Sequence, residues 1–190
     1  MITLPDGYNL KERIELMKDE ALVLRIVVLS VVVAVAAVVA GVIIAPFHVR
    51  LTVGPMPVLL SFLIFLLAYG LLIVVHELIH GVFMKKYSGV KVKYGFKWTY
   101  AYAGSDAYFN KRQYIAIGLA PVVIIGIFLL LLSVLLPGWF WNIHIMQVLN
   151  LSSAGGDFYM AYYIRKQPGD VLVLDDGPAM SIFTKHSNCT

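Results

Sequence analysis

The sequence predicts an all-α membrane bundle: four transmembrane helices, both termini cytoplasmic, and a small cytoplasmic β-hairpin between helices two and three. Three observations carry this prediction. Of the 190 residues, 60% are hydrophobic and only 14% charged, against about 45–50% and about 25% in soluble domains. Four apolar runs are each long enough to cross about 30 Å of hydrocarbon, which takes about 20 helical residues. The basic residues gather on one side of those runs. The same composition excludes a disordered chain, and the single cysteine, Cys189, excludes a disulfide scaffold. In so apolar a chain the net charge of +4 marks cytoplasmic loops. The expected surroundings are therefore the lipid bilayer, with no nucleic acid partner.

The first span covers about residues 24–47; it is uncharged beyond Arg25 and rich in Val and Ala. The mixed charges before it and its length argue against a cleaved signal peptide. The second, about 56–84, contains His76, Glu77 and His80 and ends at Lys85-Lys86. The third, about 114–136, holds Gly118, Pro121 and Gly126, which loosen a helix or let a neighbour approach, and it closes at Pro137-Gly138. The fourth, about 139–164, is the least apolar and contains Asn150, Ser152, Ser153, Gly155, Gly156 and Asp157. Residues 85–113 form a loop and 165–190 a tail, so residues 1–190 read as one integral membrane domain.

Charge sets the orientation. With both termini inside, fourteen of the fifteen Lys and Arg residues are cytoplasmic; only Arg50 is not. The expected location is the cell membrane, crossed several times. In the long loop, Val90 to Lys97 alternates apolar with basic residues, and Trp98 to Tyr102 alternates aromatic with small or polar ones. This period of two predicts a strand pair at the membrane surface. In the tail, Val171 to Leu174 followed by Asp175-Asp176-Gly177-Pro178 reads as a strand ending in a turn.

The chemistry lies in His76-Glu77-Leu78-Ile79-His80. Residues four apart on a helix share a face, so both imidazoles can reach one Zn2+ ion. Glu77 between them can take a proton from water at that ion. A catalytic zinc needs a third protein ligand. Glu77 and Asp157 are the only acidic residues within the spans, where ionisable groups are costly and point to function. Counting along the helices from the cytoplasmic edge puts His76, His80 and Asp157 at about 13, 8 and 12 Å, one common layer. Asn150, two turns before Asp157, is either a donor to a developing oxyanion or an interhelical hydrogen-bonding residue. His144, His48 and His186 read as surface or interface histidines, and Cys189 as an inert thiol.

The HELIH motif at a cytoplasmic helix end, with an aspartate two spans later, resembles the site-2 protease group of intramembrane metalloproteases. The short length, the stretch from Asp106 to Pro121 and the Gly155-Gly156-Asp157 ending are more similar to the small prokaryotic "putative zincin peptidase" branch. The resemblance covers roughly Leu60 to Asp175. It implies that His76, His80 and Asp157 are zinc ligands and Glu77 the catalytic base, with Asn150 matching an asparagine that precedes the aspartate. The chain departs from the site-2 pattern around the third ligand: Leu151 to Gly156 contains no proline, and Phe158 follows Asp157.

The expected activity is zinc-dependent hydrolysis of peptide bonds in transmembrane or membrane-associated proteins. Two alternatives use the same residues. One is a zinc-binding scaffold or chaperone without activity; the other, a metal transporter, would need a polar route through the outer half of the spans. The sequence leaves the natural substrate and the oligomeric state open.

Overall fold

A computed structural model describes residues 2–15, 18–49, 57–97 and 100–185. Helix α1 (Glu20–Ile44) starts at Asp19, whose carboxylate accepts from the Leu22 N–H at 3.0 Å and satisfies one of the free donors of the first turn. Helix α2 (Val58–Ser88) runs for 31 residues and ends at Gly89, whose φ of 70° is the left-handed conformation that closes a helix. Helix α3 (Lys111–Leu135) opens with a reciprocal capping box between Asn110 and Gln113. These three are long and apolar enough to cross a membrane.

The fourth apolar run differs from the continuous span that its length suggests. A 3-10 turn at Pro137–Trp139 leads into α4 (Phe140–Ser153), and α5 (Gly155–Arg165) follows after a break at Ala154. Gly155-Gly156 gives the physical reason, since glycine is a poor helix former. A Cβ at Gly155 would also overlap the hydroxyl of Ser30, so α1 packs tightly against the break.

The all-α expectation is corrected by a four-stranded antiparallel sheet in the order β1-β6-β5-β4. Its strands are β1 (Tyr8–Ile14), β4 (Tyr108–Asn110), β5 (Leu172–Asp175) and β6 (Met180–Lys185). Strand β5 is the one expected in the tail. Strand β1 escapes sequence reading because its partner is β6, Tyr8 lying opposite Lys185, and no local turn signal links them. The expected hairpin is present between α2 and α3, as β2 (Lys93–Lys97) paired with β3 (Tyr100–Gly104); Trp98 lies outside the described residues. Beyond β3, the Ser105 N–H donates to the Asp175 carbonyl at 2.8 Å and hooks the hairpin onto the larger sheet.

The main core lies between that sheet and the adjoining helix ends. Phe109, Ile117, Ile164, Val171, Val173 and Ile182 are fully buried there, with Met84 and Met160 beside them. The midsections of α1 and α2, by contrast, present rows of exposed Val, Leu and Phe, as a lipid-facing surface requires.

Candidate metal centre

His76 and His80 are four residues apart on α2, and both are buried on its inner face. Asp157 comes from the first turn of α5, where the restarted helix offers its positive end to a carboxylate. The His76 Nε2 lies 3.1 Å from one Asp157 oxygen, and the His80 Nε2 lies 3.5 Å from the other. One ligand atom from each residue falls within 4.8 Å of the others. Tetrahedral zinc with bonds of about 2.0–2.1 Å sets its ligand atoms about 3.3–3.4 Å apart, so this donor set fits zinc in chemistry and gathers its atoms close to the required spacing.

The orientation of His80 has a cause that the sequence reading missed. Pro121 sits inside α3 and has no N–H, which frees the carbonyl of Ile117 four residues earlier. The His80 Nδ1 lies 2.9 Å from that carbonyl. A carbonyl only accepts, so Nδ1 carries the proton and Nε2 is left as the free base a metal needs. A proline in the middle of an apolar span was the available signal; the recipient of the freed carbonyl was not. His76 is held from its Nε2 side, while its Nδ1 is buried without a hydrogen-bond partner among the described residues.

Glu77 is half-buried and shares a cavity of about 290 Å3 with His76, Asp157, Tyr69, Ser153 and Ala101. The backbone of Ala103, on β3, lies beside its carboxylate. The hairpin approaches this closely because residue 81 is glycine: a Cβ there would overlap the Tyr94 ring. Along β3, Ala101 and Ala103 turn small side chains toward the cluster.

The other sequence candidates separate clearly. Asn150 is fully buried, donates from Nδ2 to the Val122 carbonyl of α3 at 3.4 Å, and lines neither cavity beside the cluster. Its Oδ1 has no hydrogen-bond partner among the described residues. His144 bonds the Ala37 carbonyl of α1 at 2.9 Å and stacks on Phe140, an interface histidine as expected. His48 is exposed; His186 and Cys189 lie outside the described residues.

The family model described as "Putative zincin peptidase" matches residues 69–172. That stretch takes in both histidines, Glu77, the hairpin, all of α3 and Asp157. No curated protein and no solved structure matches the chain. The match spans more than half of the 190 residues and every residue of the cluster, and on it the chain belongs to the family of zincin-type peptidases so described.

Proposed function

We propose that this protein is an intramembrane or membrane-surface zinc peptidase that cuts membrane proteins near the cytoplasmic face, with Glu77 as its base. The observation that carries the reading is the shared cavity: Glu77 opens onto the same space as His76 and Asp157, while the ligand atoms point at one another. His76, His80 and Asp157 would hold the ion. The chemistry that zinc supplies when bound is Lewis-acid activation of water at neutral pH. Glu77 would take a proton from the attacking water and hand it to the departing amine, a role that needs a carboxylate in reach of the water but outside the ligand set.

Depth and charge support a membrane setting. Helix α2 is about 46 Å long at 1.5 Å per residue, longer than the hydrocarbon, so its basic last turn emerges on one side. Helices α4 and α5 form the fourth crossing in two pieces, and the positive-inside count puts the sheet end and both termini in the cytoplasm. A substrate helix hides its peptide groups and must be unwound before it can be cut. The edge of β3 not paired with β2 can hold the unwound segment as an added strand. Asn150 serves this reading as a positioning residue, bonding α4 to α3 above the site.

The transporter alternative is weakened by the cavity between α2, α3 and α4, which is lined by apolar side chains apart from Ser61 and Asn142. The test is cleavage of a model single-span substrate by purified protein in detergent. Zinc-dependent cutting that a chelator abolishes and Glu77→Gln eliminates is the expected result. Turnover by Glu77→Gln would refute the assignment of the base.

A further inference from the structure

Two cavities flank the metal cluster along α2. The one with Glu77 faces the helical midsection. The other, of about 150 Å3, lies one turn nearer the sheet, bounded by Met84 of α2, Tyr114 of α3, Met160 of α5 and the β5–β6 turn. Ala101, Gly156 and Asp157 line both. A chain laid along β3 therefore passes from one cavity to the other beside the metal ligands.

The second cavity has room for about five water molecules at about 30 Å3 each. Met84, Met160 and Met180 give it flexible apolar walls, and Asp175 opens into it. One Asp175 oxygen accepts from the Tyr114 hydroxyl at 3.0 Å and the other from the Gly177 N–H at 3.0 Å. An ionised carboxylate has about four acceptor positions, so half of them remain. No Lys or Arg is among the described residues lining the cavity. Burial pushes the Asp175 carboxyl up to about 6. A carboxylate in these surroundings is still ionised at neutral pH, and His80, the basic side chain that shares the cavity, is committed to the metal cluster.

We propose that this cavity is a side-chain specificity pocket, and that Asp175 selects a lysine next to the peptide bond to be cut. The methionine walls suit the aliphatic stem of lysine, and the carboxylate suits its ammonium. The substrates' own chemistry points the same way. Membrane proteins carry Lys and Arg where their spans reach the cytoplasm, and the pocket lies on that side of the cluster. The inference rests on the peptidase reading above and names the residue its substrates present.

Fluorescent peptide hydroxamates, which anchor on zinc, test the pocket without requiring turnover. Peptides carrying lysine, norleucine or glutamate at the two positions nearest the hydroxamate are titrated onto the zinc-loaded full-length protein in detergent. Lysine at one position should bind about tenfold tighter than norleucine, and glutamate more weakly than either. Asp175→Asn should bring the lysine-to-norleucine ratio to about one and leave the norleucine peptide within about twofold of wild type. Equal binding of lysine and norleucine by the wild-type protein, a comparison that needs no variant to fold, would overturn the pocket. A ratio untouched by Asp175→Asn would overturn the assignment to that residue. Failure of every peptide to bind in a zinc-dependent way would instead remove the peptidase reading, which the norleucine peptide probes by itself.

Discussion

Along α1, Val27, Val31, Val35 and Val42 stand half exposed or more, whereas at the sheet end Val171, Val173 and Ile182 are fully buried. These are the same kinds of side chain answering to different solvents. The midsections of α1 and α2 match their outward apolar rows to lipid and need little from their neighbours. The sheet end is a protein core in the ordinary sense, closed by strands from both ends of the chain. The metal cluster sits where the two regimes meet: His76 and His80 on a membrane-length helix, Asp157 at the helix break, and Glu77 under the hairpin hooked to the sheet. A polar site at that boundary needs rigid support, and the sheet end supplies it.

Substitutions on the two sides should differ sharply. Ile182→Ala empties a fully buried position of β6 in the main core and should cost about 2–5 kcal/mol. Val35→Ala on the lipid-facing side of α1 should change stability by less than about 0.5 kcal/mol. Unfolding of the two variants by denaturant in the same detergent measures the contrast. Equal losses would mean that the two regions are packed alike.

Pro121→Ala probes the boundary. The new N–H can reclaim the Ile117 carbonyl and so compete with His80 Nδ1. Zinc affinity should fall about tenfold, as for the loss of a ligand's outer partner, while thermal stability rises because alanine suits a helix interior. The opposite signs distinguish this account from a merely structural role, which would move both together. Gly81→Ala should push Tyr94 and the hairpin away from α2, lowering kcat/KM about tenfold with zinc content unchanged, since His76, His80 and Asp157 all lie on helices.

A further effect concerns pH. Burial raises the folded Asp175 from its ordinary range to about 6, so the fold prefers the neutral carboxyl. Its contribution to stability is fully present below the unfolded value of about 3.9 and is lost as pH rises through about 6. Asp175→Asn should flatten that stretch of a pH–stability curve; an unchanged slope would show that Asp175 titrates normally.

Much of the site was legible because its signals are local or costly. His76, Glu77 and His80 lie within one helical turn, and Asp157 is an acid in a span where acids need a reason. The hairpin showed in its alternation of basic and apolar residues. Strand β1 did not, because Tyr8 finds its partner at Lys185, and neither segment carries a turn that would announce the pairing. The break at Ala154 was hinted at by Gly155-Gly156, but a continuous span fitted the length equally well. The gift of the Ile117 carbonyl to His80 joins two helices, and no pattern within either one encodes it.

The central claim is that the sheet end and the helix break bring three ligands together to hold one zinc. Zinc content and affinity, measured side by side on purified wild type, Glu77→Gln and Asp157→Ala, test it most directly. Wild type and Glu77→Gln should each hold about one zinc per chain with similar affinity, and Asp157→Ala should lose at least about a hundredfold, because two histidines alone leave the ion underheld. An Asp157→Ala protein that binds zinc as tightly as wild type would contradict the claim and put the third ligand elsewhere.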